Sequence, residues 1–240
     1  MSIQTTLQQY AETTSPDDFS LQNAKLLKIR LQGGEVQAKK GSMVAYQGEV
    51  SFEHAGSGGM GRMLKKAVTG EGTTLMRLGG TGEVFLADSA QEVHLLKLDN
   101  DSITVNGPNL LAFDADIDWD INRLAGGAAG AMAGGLFNLT LKGSGWVALL
   151  TDGPPILLDV ASAPTFADAQ AAVTWSSGVT AAMKTDFKAK NLIGKTSGET
   201  LQMAFSGQGW VLVQPSEGRV EAHAGGGSSP GGMIGNLLGG

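Results

Sequence analysis

The chain has 240 residues, 42% of them hydrophobic and 17% charged, with 36 glycines, so it can bury a sizeable core and suits many short strands rather than a helical bundle or coiled coil. A formal net charge of −6 weighs against a free nucleic-acid binder, which needs a basic footprint to neutralise phosphates. The lack of cysteine excludes disulfide frameworks, zinc-thiolate sites and cysteine nucleophiles.

Residues 1–23 read as a polar, loosely attached lead-in, with a turn at Ser15-Pro16-Asp17-Asp18 and a short strand around Phe19–Leu21. The first residues show no basic region followed by an apolar run, and no apolar stretch reaches the ~20 residues that span a bilayer. The expected location is therefore cytoplasmic, with peripheral attachment to a membrane as the variant. From Ala24, Leu26, Lys28 and Arg30 alternate with Leu27, Ile29 and Leu31, the period-2 pattern of a strand. Gly33-Gly34 predicts a turn. Val36–Ala38 and Met43–Tyr46 are the next expected strands.

Gly56 to Met63 has the glycine spacing of a phosphate loop, but Arg62 and Met63 replace its lysine and its Ser/Thr, and no βαβ context surrounds it. Met60, Met63, Leu64, Ala67 and Val68 then recur at i, i+3, i+4, i+7 and i+8, predicting a short amphipathic helix with Arg62, Lys65 and Lys66 opposite. The bland reading is a lid on the β core. The functional one is a docking helix for a partner or an anionic lipid surface.

A repeat organises the rest. Leu78-Gly79-Gly80-Thr81-Gly82-Glu83-Val84 returns as Leu141-Lys142-Gly143-Ser144-Gly145-Trp146-Val147 and as Phe205-Ser206-Gly207-Gln208-Gly209-Trp210-Val211, with the second glycines 63 and 64 residues apart. A second landmark keeps step: Tyr46, Phe113 and Trp175 are each followed four residues later by Val50, Ile117 or Val179. A fixed interval implies one supersecondary unit copied in tandem. The units run about 24–90, 91–153 and 154–217, and each G-x-G is expected as a turn between two strands.

Between landmarks, Leu124 to Phe137 is uncharged and rich in small residues, including Ala129, Ala131 and Met132. With Asn191-Leu192-Ile193-Gly194 and the Met60 helix, it is expected to form an oligomer or partner interface. The candidate interface residues are thus Met60, Met63, Leu64, Ala129, Ala131, Met132, Leu192 and Ile193. Phe113 to Ile121 alternates apolar residues with Asp114, Asp116, Asp118 and Asp120, and is read as one strand with a solvated acidic face. Calcium would accept such oxygens, but carboxylates about 7 Å apart along a strand are too straight to wrap an ion without a second strand's help. His54, His94 and His223 are scattered, with no nucleophile elbow or metal spacing. Residues 218–240 are a glycine-rich tail, expected to be flexible, with Met233, Ile234, Leu237 and Leu238 as an apolar cluster.

The run Ala38-Lys39-Lys40-Gly41-Ser42-Met43-Val44-Ala45-Tyr46-Gln47-Gly48 resembles the opening signature of the altered-inheritance-of-mitochondria protein 24 family. The Gly56–Gly61 excursion, Gly70-Glu71, Gly80 to Ala87, Leu110-Leu111-Ala112-Phe113 and Gly207 to Pro215 are similar to it in order, over roughly residues 24–216. Gly72 is one residue more than the family pattern. The resemblance implies three β-sandwich modules about a pseudo-threefold axis, each like the tryptophan-sensing RNA-binding attenuation protein and of double-stranded β-helix type. It also implies assembly into trimers and carries no catalytic motif.

The expected protein is a non-catalytic, all-β, homo-oligomeric scaffold with no cofactor or metal, acting in protein interaction, at a membrane surface or in a stress response. The alternatives are a small-ligand or RNA-binding regulatory module and an enzyme with an unrecognised site.

Overall fold

The computed structural model describes residues 3–54, 75–123, 137–184 and 202–216. After a five-residue helix α1 (Ile3–Leu7) come β1 (Phe19–Asn23), β2 (Leu26–Lys39), β3 (Met43–His54) and β4 (Leu75–Leu86). The middle of the chain holds β5 (Glu92–Asn106), β6 (Leu110–Asp114), β7 (Asp118–Arg123) and β8 (Phe137–Thr151). The last part holds β9 (Ile156–Asp159), β10 (Thr165–Asp168), β11 (Ala172–Ser176), β12 (Val179–Lys184), β13 (Gln202–Gly207) and β14 (Trp210–Val213). The protein is all-β, as its composition and periodicity predict. One sheet runs β3-β4-β2-β6-β8-β5-β11-β14-β9, with β1 against β2 and β7 against β8, and a second runs β10-β13-β12.

Alternation sets the faces. Leu27, Ile29 and Leu31 on β2 are buried and meet Leu78, Val84 and Leu86 of β4 in one core cluster. That cluster also takes Leu111, Ala112, Ala148 and Leu150 from β6 and β8. A second cluster joins Leu98, Ile103, Phe113, Leu141 and Val147 to Val173, with Trp210 and Leu212 packed against it. A third holds Val160, Trp175, Val179, Met203, Phe205 and Val211. The first two clusters are therefore shared between neighbouring stretches of chain. The third draws only on residues from Leu158 onward among the described residues.

The structure corrects three local expectations. Gly33-Gly34 does not end a strand: β2 runs through it, and the ladder to β4 shifts register between Gln32 and Glu35, a bulge with Gly33 at φ 84°. The G-x-G segments at Gly80-Gly82 and Gly143-Gly145 lie inside the continuous strands β4 and β8, and only Gly207-Gly209 separates two strands. All six glycines have φ between 108° and 155°. A side chain at Gly80 would strike the carbonyl oxygen of Glu49 on β3, so the glycine permits close strand approach rather than a turn. Finally, Phe113–Ile121 is two strands, because Ile117 N–H bonds back to Asp114 O at 3.1 Å and turns the chain between β6 and β7.

The lead-in is tied down. β1 pairs with β2, the Phe19 ring is buried, and Arg30 donates to the carbonyls of Ser15 (3.2 Å) and Pro16 (2.6 Å) and to Asp18 (3.2 Å).

Candidate assembly edges

Two internal joints link successive stretches of the large sheet. β2 meets β6 with Gln37 opposite Phe113 and Ala38 opposite Ala112. β5 meets β11 with Thr104 opposite Trp175 and Val105 opposite Thr174. The two joints share one register. Gln37 faces Arg77, five residues before Gly82, and Thr104 faces Thr140, five residues before Gly145. Both partners, Phe113 and Trp175, are the repeated aromatic.

At both joints the strand carrying the aromatic is sealed. Leu110 to Phe113 and Ala172 to Trp175 are all buried. Side chains lock the second joint further: Thr174 Oγ1 donates to Thr104 O at 2.8 Å, and Asn106 Nδ2 donates to Ala172 O at 3.2 Å. Across the same region Asn109 Nδ2 donates to Leu150 O (2.8 Å) and Gln214 Oε1 (3.3 Å), while Gln214 Nε2 donates to Gln170 O (3.1 Å).

The first aromatic is placed otherwise. β3, which carries Tyr46, pairs only with β4 among the described residues and ends the sheet. Every residue from Met43 to Glu49 is exposed, with Val44 at 61% and Tyr46 at 48%. At the far end of the sheet, Ile156 and Leu157 on β9 are 58% and 62% exposed, and Phe166 on β10 is 51% exposed. The remaining large exposed hydrophobics of the described residues are Ile3, Leu7, Tyr10 and Leu21, all near the N-terminus. Among the described residues, large exposed hydrophobics away from that terminus thus lie on three strands, β3, β9 and β10, where water contact is unfavourable.

The titratable groups with altered affinity for protons have structural partners. Burial raises the pKa of Asp114, opposed by the hydrogen bond its Oδ2 accepts from Trp146 N–H at 2.6 Å. Ser176 Oγ accepts the equivalent Trp210 N–H at 3.1 Å. Both acceptors directly follow the repeated aromatic, and both amides directly follow a second glycine. The polar residue after each of the three aromatics, Gln47, Asp114 and Ser176, was the available sequence signal for this contact. Lys28 lies in a cleft lined by Glu12, Thr13, Ser15, Arg30 and Glu83, and contacts Glu12 and Glu83 at 2.9 Å each. Burial works against its charge, but the bonds to Glu83 and Glu12 prevail and raise its pKa. The Lys28 bond, with those of Glu83 and Gln47, lowers that of Glu12. His94 Nε2 sits 2.7 Å from Thr151 Oγ1, whose own proton goes to Gly153 O at 2.8 Å. Burial lowers the His94 pKa, partly opposed by Glu92.

The acidic residues of the Phe113–Ile121 stretch do not share one solvated face, since Asp114 is half-buried against Trp146. Among the described residues no group of three or more His, Asp or Glu converges as a metal cluster. No helix of the described residues is long and apolar enough to cross a membrane. The candidate interface residues Met60, Met63, Leu64, Ala129, Ala131, Met132, Leu192 and Ile193 lie outside the described residues, as do the phosphate-loop-like segment, His223 and the tail.

A family model described as Mitochondrial biogenesis AIM24 matches residues 19–216, from the buried Phe19 that opens β1 to just beyond β14. The chain belongs to the AIM24 family. Its fold is similar to the crystal structure of protein SPYM3_0169 from Streptococcus pyogenes, with a TM-score of 0.66 and 22% identity, covering 82% of this chain and 92% of that one. No curated protein matches the chain. The AIM24 match spans all of the strands described above, so both internal joints and both exposed edges belong to the family domain.

Proposed function

We propose that this AIM24 chain is a non-catalytic scaffold that works as a homo-oligomer, its β structure being three successive units and its assembly a trimer. The observation that carries this reading is the pair of exposed apolar edges, Met43–Tyr46 at one end of the large sheet and Ile156-Leu157 at the other. Edges of this kind are templates for further pairing unless something covers them. The titratable groups support a structural role: Lys28, Glu12 and Asp114 bond to strands and to the lead-in. The family description, mitochondrial biogenesis, fits a protein that organises other components. The test is absolute mass in solution by light scattering, on the full chain and on one ending at Glu217. A stable mass about three times 24.7 kDa in both is expected, and a monomer at micromolar concentration in both overturns the scaffold reading.

A further inference from the structure

The strand that ends the large sheet on one side, β9, has an internal counterpart whose outer edge is already covered. Ile156, Leu157 and Leu158 face the residues four, three and two after Gly209, as Leu27, Lys28 and Ile29 on β2 face those four, three and two after Gly82. On the other side of that β2 stretch lies β1, with Leu21 opposite Leu27 and Phe19 opposite Ile29. Leu27 and Lys28 are buried there, whereas Ile156 and Leu157 are exposed, and β9 pairs only with β14 among the described residues. In the middle of the chain Leu95, the counterpart of Leu157, packs into the first core cluster. We propose that residues 233–238 of the same chain add a short strand to the outer edge of β9, covering Ile156 and Leu157 as β1 and the lead-in cover Leu27 and Lys28.

Position and chemistry both favour this occupant. The edge on β2 is covered by the segment that precedes the repeats, and the edge on β9 lies where the segment that follows them begins. Val213, the last residue of β14, is directly opposite Ile156. Residues 217–232 then lead to the apolar cluster of Met233, Ile234, Leu237 and Leu238. A chain of that length has an end-to-end distance of roughly 20 Å, against roughly 13 Å for the four residues of β9. Such a tether gives an effective concentration on the order of millimolar, so at micromolar protein the chain's own tail prevails over that of another copy. At Lys28 the lead-in supplies a carboxylate, Glu12, 2.9 Å away. Leucine stands at that place on β9, and residues 224–240 carry no charged side chain. Ile156 and Leu157 are adjacent and project from opposite faces of the sheet, so a covering strand needs apolar residues on both of its own faces. In an extended segment Met233 and Leu237 fall on one face, and Ile234 and Leu238 on the other. The pairing does not depend on the number of copies in the assembly, and it leaves the Met43–Tyr46 edge for a second copy.

The absence of cysteine allows a single reporter thiol. Leu157→Cys is made in the full-length chain, and again in a full-length chain whose tail carries Ile234→Asp and Leu237→Asp, one on each face. The tail lies outside the matched domain of residues 19–216, so both chains are expected to fold alike. With the unaltered tail the thiol is expected to react with a maleimide about tenfold more slowly than with the charged one. Val44→Cys, on the other edge of the sheet, should react at one rate with either tail. Equal Leu157→Cys rates overturn the proposal, whether both are fast or both are slow, and so does a tail effect at Val44→Cys instead. Asn236→Cys added to Leu157→Cys shows whose tail is bound. Oxidation is expected to give an internally cross-linked monomer, and covalent dimers in its place overturn pairing within one chain. Light scattering on the same proteins keeps the two readings apart. An oligomer with equal thiol rates sinks the tail strand and leaves the scaffold, whereas a monomer with a protected Leu157→Cys sinks the scaffold and leaves the tail strand.

Discussion

Asp114 and Trp146, 32 residues apart in sequence, are joined by a 2.6 Å hydrogen bond from the Trp146 amide to the Asp114 carboxylate. The bond sits where Gly145 crosses β6, so close that a side chain on Gly145 would lie 2.8 Å from Asp114 Oδ2. Ser176 holds the Trp210 amide in the same way beside Gly209. The second glycine of the G-x-G segment and the residue after the aromatic thus form one contact, made twice.

Replacing Asp114 tests that contact. Asp114→Ala leaves the Trp146 N–H without its acceptor and is expected to cost about 1–2 kcal/mol in urea unfolding at pH 7. Because burial raises the Asp114 pKa above its ordinary 3.8, the folded state holds the proton more tightly than the unfolded state. This group's contribution is therefore most favourable below the ordinary value and falls as pH rises through the folded pKa. Asp114→Asn keeps an acceptor without the charge, so it should match or exceed the parent at pH 7 and flatten that pH dependence. Equal losses from the Ala and Asn variants would show that the hydrogen bond contributes nothing.

The glycines should separate by what surrounds them. Gly80 at φ 108° and Gly207 at φ 116° face carbonyl oxygens of neighbouring backbone, those of Glu49 and Gly178. Alanine at either is expected to cost about 3 kcal/mol or more, since strained backbone and overlap combine. Gly33 has φ 84° but open space around its missing side chain, so Gly33→Ala should cost only about 1 kcal/mol. Denaturant midpoints of the three variants check the order.

Lys28 anchors the lead-in. Glu12→Ala with Glu83→Ala leaves its buried ammonium without either carboxylate, and a loss of about 3 kcal/mol is expected. The lowered Glu12 pKa means that its contribution is present above the ordinary carboxylate value of 4.5 and is lost as pH falls through the lower folded value. The raised Lys28 pKa means that the ammonium's contribution persists through neutral pH and is lost only in strongly alkaline solution, as pH rises through a value above 10.5. A double variant as stable as the parent across pH 3–8 would show that the lead-in is not held by this cluster.

Val44 and Leu111 occupy the same offset before their aromatics and should respond oppositely to mutation. Leu111→Ala removes a fully buried side chain and is expected to cost about 2–5 kcal/mol of folding stability. Val44→Glu places a charge on an edge that is exposed in the single chain, so the subunit should keep its thermal midpoint at low concentration. Its mass by light scattering should drop to that of one chain, because pairing would bury the unpaired carboxylate. Unchanged assembly in Val44→Glu would count against β3 as a contact.

The sequence by itself determined the all-β class, the strand faces of Leu27, Ile29 and Leu31, the lettering of the G-x-G segments and the family. These rest on period-2 alternation, on glycine's conformational range and on ordered motifs, all of which are local. It read the G-x-G segments as turns because positive φ serves a hairpin and a close strand crossing equally well. Only the neighbouring strand, with Glu49 O against Gly80, decides between them. The same limit applied to Asp114, whose alternation with apolar neighbours matches a solvated strand, whereas its partner amide comes from β8. The fates of Tyr46, Phe113 and Trp175 were the least legible. Their local sequences are alike, and burial depends on whether another strand edge lies beside them. Two are sealed by an earlier stretch of the same chain, while Tyr46 lies on β3, which pairs only with β4 among the described residues.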